Sequence, residues 1–474
     1  MKGYSAYLQL PQTLWYLVQA TLVLAQSKQS LSLNSLSTFS GTTLSGTPLF
    51  ALPSAPQLSV SFALCSAGSS ARFFVSNSSA ISVPSSLGGD DVFEIQLNDG
   101  YGSWTGAAPD GGTIAVEDIG QTNFEIGVSN SGQSLFCTDV MHQVLDTLPL
   151  LGDTTSNQVL LFSPPFSPPP IDQPTYPNYT LPPANLSQPS PPSTSPNYTL
   201  VLSPSSSSLT SLPQTGCSLL STTSSGMQLS QDLWLRDADG WRYQWLMGGL
   251  TSVTNYTAYV IQDQTKVSGP IYFATKSAGF PCPLVHSLPY CPSTAFAVPL
   301  PAINTAYDST TLPSQVSSPL LQYVSNFTTM LTTFACGRDL YSPLQTCADC
   351  QREYRKWLCS ISFPRCSENP LSSSQSPSSG TQVPFPALAP PSQRNQFLPP
   401  VNYTYMTLLP CLETCNAVDR ACPNFLGIKC PVPQFNAGAS YGVGFVDSGE
   451  EDVLGNGKTG TAQDQWGNVW CNGF

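Results

Sequence analysis

The sequence is poor in ionisable side chains, which restricts the chemistry it can perform. Asp, Glu, Lys and Arg make up 9% of its 474 residues, against about 25% in a typical soluble protein. Its two histidines, His142 and His286, lie far apart in the chain and are interpreted as packing or surface residues. No HExxH or phosphate-binding loop motif is present. The sequence therefore predicts no enzymatic activity and no cofactor.

Basic residues are lacking from a long part of the chain. Between Arg72 and Arg236 there is no Lys or Arg, whereas thirteen Asp and Glu residues occur there. The formal net charge of −12 therefore resides in the first half. Nucleic-acid partners are disfavoured, because phosphate binding requires a basic surface. The acidic surface favours solubility, and the alternative is that it enriches cations nearby.

Long apolar segments are also lacking. The N-terminal run from Leu14 to Ala25 has twelve residues, too few to cross a hydrocarbon core of about 30 Å as a helix. Its length is typical of a signal peptide, so residues 1–25 are predicted to be cleaved off. The alternative is an uncleaved anchor that extends back to Leu8. We therefore expect the mature protein in the secretory pathway, in the lumen or outside the cell.

Seven Asn-x-Ser/Thr sequons agree with this location. Such sites accept N-linked glycans in secreted proteins, although a chain rich in serine and threonine also produces some by chance. The predicted glycosylation sites are Asn77, Asn178, Asn185, Asn197, Asn255, Asn326 and Asn402.

Fifteen cysteines predict a disulfide framework, because disulfide bonds persist in an oxidising compartment. We expect Cys65 to pair with Cys137, while Cys217, Cys282 and Cys291 compete for one further bond. The odd total leaves one cysteine unassigned, and the connectivity of the remaining dense group stays open. This group comprises Cys336, Cys347, Cys350, Cys359, Cys366, Cys411, Cys415, Cys422, Cys430 and Cys471.

The sequence patterns favour disulfides and turns over metal sites. The Cys347-Ala-Asp-Cys350 motif has the spacing of half a zinc ribbon, but a second such motif about 15–20 residues later is missing. Acidic residues near 90–118 lack calcium-ligand spacing and suit turns instead. The acidic segment 446–457 departs from the EF-hand loop, because Gly449 occupies a ligand position. No metal site is predicted.

Residues 45–162 alternate apolar and polar side chains in short runs, which is typical of β-strands. The turn signals Asn98-Asp99-Gly100 and Asp110-Gly111-Gly112 supply residues that tolerate positive φ. A β-sandwich-like domain is predicted. Its predicted strands are residues 59–65, 71–76, 91–97, 112–119 and 123–129.

Two segments of contrasting composition follow. Residues 163–213 hold fifteen prolines in 51 positions, and such a segment buries too little apolar surface to become ordered. An extended, glycosylated linker is predicted there. Residues 214–281 return to strand patterns, with a hairpin turn at Asp237–Gly240 and Tyr256 placed as in a tyrosine corner. They predict an immunoglobulin- or fibronectin-like β domain, although the segment is short for that fold.

Residues 282–474 combine cysteines with helical periodicity. Helices are predicted at 320–335, 347–359 and 405–422, and residues 367–398 form a Ser/Pro-rich insertion. Three cysteines near one face of the third helix are expected to bridge it to its neighbours. In the second helix, Tyr354, Trp357 and Leu358 are placed on one side and Arg352, Arg355 and Lys356 elsewhere. In the first helix, one face is predicted to carry Leu320, Tyr323, Phe327, Met330, Leu331 and Phe334.

The cysteine-rich sequences CGRDLYSPLQTCADCQREYRKWLCSISFPRC (336–366) and NYTYMTLLPCLETCNAVDRACPNFLGIKCP (402–431) resemble a known fungal family. This is the stretch-activated calcium-channel component, also called the mating-induced-death protein family. The order of features fits as well: a signal-like N-terminus, a β-rich half and a cysteine-rich end. The resemblance is specific at 336–431 and 234–280 and weaker at 30–210.

The resemblance implies a fold class and a function. The expected fold is multidomain, with N-terminal all-β sandwich-like domains followed by a disulfide-rich, mainly α-helical, frizzled-like cysteine-rich domain. The expected function is that of a non-enzymatic regulatory subunit that docks on the extracellular face of a pore-forming calcium-channel subunit. It would support calcium influx under stretch, mating or stress at the plasma membrane, with the endoplasmic reticulum as a further location.

Two other functions stay open at this point. A secreted or cell-wall-associated adhesion glycoprotein would also carry sandwich and frizzled-like domains, since both commonly bind partners. A carbohydrate-active enzyme would require a pair of acidic residues in a shared site, and no local sequence signature indicates one.

Overall fold

The computed structural model describes residues 28–44, 46–68, 70–130, 141–169, 179–368, 394–432, 435–446, 460–461 and 466–473. These residues belong to two compact units, which divide between His142 and Gln143. The predicted signal peptide and Cys137 lie outside the described residues, as does most of the Ser/Pro-rich insertion.

The first unit consists of two β-sheets that share one apolar core. One sheet has the strand order β1-β3-β8-β5-β6 and the other β2-β9-β4-β7. Phe73 from the first sheet meets Phe62 and Phe124 from the second, with ring centroids 4.7 and 5.4 Å apart. The strands are β1 Gln29–Ser30, β2 Ser35–Ser40, β3 Leu49–Leu52, β4 Ala55–Leu64, β5 Arg72–Ser76, β6 Val92–Ile95, β7 Tyr101–Ala108, β8 Gly112–Glu117 and β9 Asn123–Ser129.

Strands with clear alternation lie where the sequence predicts them, and the turn chemistry is confirmed. Asp99 and Gly100 both have positive φ, at 49° and 87°, between the paired residues Asn98 and Tyr101. The sequence patterns missed β2, β3 and β7. Strand β7 is rich in glycine because its neighbours come close: a Cβ on Gly102 would lie 2.7 Å from Cγ2 of Ile95.

The second unit begins with a β-sandwich. Its two sheets have the strand orders β11-β12-β15-β14 and β10-β17-β16-β13. Between them lies a core that contains Trp245, Tyr256 and Phe273. The strands are β10 Gln143–Val144, β11 Leu150–Thr154, β12 Val159–Phe162, β13 Tyr198–Pro204, β14 Met227–Asp237, β15 Gly240–Gly248, β16 Asn255–Gln262 and β17 Lys266–Ala274, with the short helix α1 Gly216–Leu220 after β13.

This sandwich draws strands from beyond the predicted module at 214–281. Strands β11 and β12 fall within the segment assigned to the first domain, and β12 pairs with β15. Strand β13 falls within the predicted linker and pairs along its whole length with β16. Because β12 is buried on both faces, its sequence shows no alternation that would indicate which domain it joins. The borrowed strands explain why the predicted module is short.

Two local signals in the sandwich are confirmed. The hydroxyl of Tyr256 accepts a hydrogen bond of 2.9 Å from the backbone N–H of Thr251, which is the geometry of a tyrosine corner. The hairpin turn lies between β14 and β15, where Asp237 pairs with Gly240. Both devices act locally, so short-range sequence patterns are sufficient to find them.

The cysteine-rich part, residues 282–474, combines helices with long irregular segments and two-residue strands. Its elements are β18 Leu284–Val285, β19 Phe296–Ala297, α2 Ser314–Leu331, α3 Cys347–Ser362, β20 Cys366–Ser367, β21 Met406–Thr407, α4 Leu412–Ala421, α5 Ala437–Ser440, β22 Phe445–Val446 and β23 Gly460–Thr461, with a 3-10 turn at Asn424–Leu426.

The expected mainly α-helical, frizzled-like cysteine-rich domain is wrong. Among the described residues, strands outweigh helices, with 33% in strands and 16% in helices. In the cysteine-rich part, irregular segments connect the three longer helices, and three disulfide bonds join such segments to α3 or α4. Cross-links can fix irregular backbone in place, so this region does not need continuous helices to be ordered.

Helix α2 also differs from its prediction. Its buried residues are Val316, Leu320, Val324, Phe327 and Leu331. Two members of the predicted face point outward instead, since Tyr323 is 47% and Met330 44% exposed. The helix begins six positions earlier than the predicted segment, and Val316 in its first turn belongs to the buried face.

Six disulfide bonds connect the cysteine-rich part, which confirms the expectation of disulfide bonding. The bonds are Cys282–Cys366, Cys291–Cys359, Cys336–Cys347, Cys350–Cys422, Cys411–Cys471 and Cys415–Cys430. Cys65 and Cys217 are also disulfide-bonded. The predicted Cys65–Cys137 bond stays a prediction, because Cys137 lies outside the described residues.

Loss of the Cys350–Cys422 bond is expected to destabilise the second unit. Replacing both residues with serine should lower its free energy of unfolding by about 4 kcal/mol, because the bond restrains an unfolded chain segment with a sequence separation of 72. Replacing Cys336 and Cys347 is the control, since their separation is only 11 and the expected loss is about 3 kcal/mol. Urea denaturation measures both, and a larger loss from the short loop would contradict the chain-entropy explanation.

Candidate functional site

Helix α3 is the centre of the candidate site. Its start is capped reciprocally: the Thr346 hydroxyl accepts from the Asp349 N–H, and the Asp349 carboxylate accepts from the Thr346 N–H at 2.8 Å. Such a capping box satisfies two backbone donors that the helix leaves open. The rings of Phe327 on α2 and Tyr354 on α3 are stacked with centroids 3.6 Å apart. The cap and the stack fix both the start and one side of α3.

Three disulfide bonds connect α3 to three different parts of the chain. Cys347 is bonded to Cys336 in the preceding loop, and Cys350 to Cys422 at the end of α4. Cys359 is bonded to Cys291 in the segment that follows the sandwich. The two cysteines of the CxxC motif are therefore not bonded to each other and are not free to bind a metal, because each is bonded to a cysteine outside the motif.

A segment of the predicted linker crosses α3. We call residues 179–184 the strap. Gln351 donates from Nε2 to the carbonyl of Pro182 at 2.8 Å and to the Thr328 hydroxyl at 2.7 Å. The ring of Tyr179 packs against Gly337, whose φ is +82° and where a Cβ would collide with that ring.

Arg355 fastens the strap to the rest of the unit. Its guanidinium donates to the carbonyls of Ala184 at 2.6 Å, Pro183 at 2.9 Å and Tyr290 at 3.4 Å. The side chain is buried, and burial lowers its pKa to about 10. It therefore keeps its charge at neutral pH, and carbonyl oxygens take the place of water around it. Arg355 therefore connects α3 to two other segments, the strap and the segment that contains Tyr290.

Sequence reasoning placed Arg355 away from the apolar side of α3, which is wrong. The buried residues of the helix include Cys347, Gln351, Arg355, Leu358 and Cys359. Their spacing of three or four residues defines a single face. The cysteines at the two ends of the helix were the signal that could have located Arg355 on this face.

A buried ionic cluster joins the sandwich to the cysteine-rich part. Asp153 at the end of β11 forms ion pairs with Lys276, at 2.6 Å, and with Arg365, at 3.0 Å. The backbone N–H groups of Thr154 and Ala297 donate to the same carboxylate at 2.8 and 3.1 Å. All four acceptor positions of the carboxylate are thus used, which a buried charge requires in order to be tolerated.

The cluster shifts the pKa values of its members. Burial alone would raise the pKa of Asp153, but the charges and hydrogen bonds of Arg365 and Lys276 outweigh burial and lower the pKa to about 2. Burial lowers the pKa of Lys276, and the charge of Asp153 opposes that effect. No sequence pattern indicates this cluster, because Asp153 is separated from Lys276 by 123 positions and from Arg365 by 212.

The predicted glycosylation sites are distributed over the surface. Asn185, Asn197, Asn326 and Asn402 are exposed, while Asn77 and Asn255 are half-buried. Asn178 lies outside the described residues. Asn185 directly follows the strap.

The two histidines are buried among polar groups. Nδ1 of His142 lies 2.9 Å from the Ser61 hydroxyl, and its Nε2 lies 3.2 Å from the Glu125 carboxylate. His286 lies 2.8 Å from the Ser287 hydroxyl, and burial lowers its pKa. Both contribute to packing, in agreement with one of the two roles considered for them.

One group of potential metal ligands in the second unit consists of Cys411, Glu413 and Cys471. The two sulfurs are bonded to each other, and the Glu413 carboxylate accepts from the Gly444 N–H at 2.9 Å. A disulfide offers no thiolate to a metal, so this group is structural.

Release of the strap is expected when Arg355 is replaced. Arg355→Met removes three hydrogen bonds, two of which attach the strap, so chymotrypsin should cleave the chain after Leu186 at least tenfold faster than in the wild type. The exposed Arg352 on the same helix supplies the control, since Arg352→Met should leave the cleavage rate unchanged. Equal rates in both variants would show that the guanidinium does not hold the strap.

Acid is expected to weaken the second unit through Asp153. Its folded pKa of about 2 lies below the ordinary value, so the contribution is complete above about pH 4 and is lost as the pH falls toward 2. The expected loss is on the order of 2 kcal/mol, measured by urea denaturation between pH 5 and 2. Asp153→Asn should flatten this pH dependence and cost about 3–5 kcal/mol at pH 7, because two buried cations lose their partner. Exposed Asp146→Asn should behave like the wild type.

No helix among the described residues is both long and apolar enough to cross a membrane.

Comparison with known proteins agrees with the resemblance found in the cysteine-rich sequences. The chain is 35% identical over 516 aligned positions to the stretch-activated cation channel MID1 of Cryptococcus neoformans var. grubii, and this covers 89% of the chain and 81% of the relative. It is 28% identical to the stretch-activated cation channel MID1 of Saccharomyces cerevisiae over 39% of the chain and 34% of the relative. It is also 28% identical to the stretch-activated cation channel yam8 of Schizosaccharomyces pombe, over 42% and 40%.

The family match covers most of both units and contains α3, the strap and the Asp153 cluster. Cys471 lies beyond the match. Residues 54–456 match the family described as "Stretch-activated Ca2+-permeable channel component". Because this match and the 35% identity both extend over most of the sequence, the chain belongs to the family of stretch-activated Ca²⁺-permeable channel components.

Proposed function

We propose that the protein is a non-enzymatic auxiliary subunit of a plasma-membrane calcium channel. It docks on the extracellular face of a pore-forming subunit and supports calcium influx under stretch, mating or stress. The observation that carries the proposal is the disulfide-locked α3–α4 region inside a chain that belongs to a family of channel components. A component acts within a larger assembly, so a protein partner at the membrane is part of this proposal.

The disulfide bonds support an extracellular position. Six bonds in one unit are typical of a protein that matures in an oxidising compartment and faces the outside of the cell. This position agrees with a cleaved signal peptide at residues 1–25 and with N-linked glycans on the exposed sequons, both of which we include in the proposal.

The immobilised helices support a docking role. Binding costs entropy when loops and side chains become ordered at an interface. The cap, the strap and three disulfides already fix α3, so little further ordering is needed when a partner binds. A surface that is already ordered before binding supports the proposed docking role.

Calcium uptake in a strain that lacks this protein tests the role. Expression of the full chain should restore uptake, and crosslinking in intact membranes should join it to the pore-forming subunit. Replacement of both Cys350 and Cys422 should abolish restoration, because it frees α3 from α4.

A secreted adhesion protein gives the opposite results. In that case the chain would leave the cells without detergent, no channel subunit would be crosslinked to it, and deletion would leave calcium uptake unchanged. These three results together would overturn the proposed function.

A further inference from the structure

An exposed apolar surface lies beside the disulfide-locked helices. The loop closed by the Cys336–Cys347 bond presents Leu340 and Leu344, which are 82% and 84% exposed. Phe425, in the turn after α4, is 56% exposed. Large apolar side chains grouped on a surface are typical of a binding site for another molecule.

The loop that carries Leu340 and Leu344 lies against the turn that carries Phe425. The hydroxyl of Tyr341, the neighbour of Leu340, donates to the backbone carbonyl of Ala421 at 2.7 Å, which places the loop against the end of α4. The Phe334 ring lies 5.6 Å from the Tyr341 ring and 5.9 Å from the Phe425 ring. The loop and the turn therefore form one continuous surface. We call Leu340, Leu344 and Phe425 the apolar patch.

Positive charge borders the apolar patch. Arg420 at the end of α4 and Lys429 after Phe425 are both exposed, and neither takes part in the ion pairs found among the described residues. The acid within the loop, Asp339, is neutralised by Arg338 at 2.7 Å. Asp419, which is also exposed and directly precedes Arg420, offsets one of these two charges. The border therefore keeps a net charge of +1 (two basic residues and one acid) in a chain whose net charge is −12. Complementarity then favours a partner that is apolar and acidic.

We propose that the apolar patch, with Arg420 and Lys429 at its border, binds an apolar, acidic segment on the outer side of the pore-forming subunit. This inference rests on the proposed function, because it names the surface through which docking occurs. A lipid bilayer with anionic headgroups shares this chemistry. Because the chain belongs to a family of channel components, a protein segment is the better fit.

Site-specific photocrosslinking tests the location of the contact. Leu344 in the full chain is replaced by p-benzoylphenylalanine, the chain is expressed in cells and the membranes are irradiated. The expected result is an adduct with the pore-forming subunit. The same replacement at Leu87, which is 96% exposed in the first unit, is the control and should give no such adduct. An adduct with a second copy of this chain, or with lipid alone, would overturn the proposal.

Substitutions test what the contact contributes. Leu340→Ser combined with Leu344→Ser should reduce co-purification with the pore-forming subunit at least tenfold, and Lys429→Glu should reduce it further. Leu87→Ser should have no effect. Chymotryptic cleavage after Leu186 at the wild-type rate shows that each variant is folded.

The outcomes separate this inference from the proposed function. If the wild-type chain co-purifies with the pore-forming subunit and the double variant does so equally well, the patch is not the docking surface, although the auxiliary role stands. If the wild type fails to co-purify, both proposals fall. Flotation with vesicles of phosphatidylcholine and phosphatidylserine should show no binding, and binding that requires Leu340 and Leu344 would assign the patch to the bilayer instead.

Discussion

The covalent cross-links around α3 are the constraint on which the second unit depends. The helix has a short apolar face, and apart from α2 and α4 its neighbours are irregular segments that could not hold a fixed geometry by regular hydrogen bonding. Bonds from Cys347, Cys350 and Cys359 restrict the unfolded chain and so make this arrangement stable. The strap has no disulfide bond to α3 among the described residues. It is attached through Arg355, which donates hydrogen bonds to two of its backbone carbonyls.

The sandwich and the cysteine-rich part behave as one structure because charge is buried between them. Asp153 belongs to the sandwich, whereas Arg365 adjoins the disulfide-bonded Cys366. The Cys282–Cys366 bond and the Asp153–Arg365 ion pair therefore lie side by side, one covalent and one electrostatic. Apolar residues on the second face of β12 fill the space around them. A displacement of either part would leave charges without partners, so the unit resists partial opening.

Local signals in the sequence predicted local structure well. Strands with strict alternation, the Asp99–Gly100 turn and the Tyr256 corner could be read from short windows. The three helices were also expected in the right parts of the chain, but residues 405–411 of the third predicted helix are not helical and include β21. Cysteine content predicted that disulfides would form but not which residues would be joined, since spacing carries no information on pairing.

Features that depend on distant parts of the chain could not be predicted. Strand β13 comes from a proline-rich segment and is ordered only because β16 lies beside it. Arg355 is polar by type but buried by its partners, and the strap was expected to be a free linker. The apolar patch was equally hidden, because exposure of Leu340 and Leu344 is a property of the folded surface. In each case tertiary contacts outweigh the local composition.

Disulfide mapping of the native protein tests the central claim most directly. Peptides released without reduction and identified by mass spectrometry should link Cys347 to Cys336, Cys350 to Cys422 and Cys359 to Cys291. A bond between Cys347 and Cys350, or free thiols at these positions, would contradict the account, because α3 would then lack the attachments that give this region its shape.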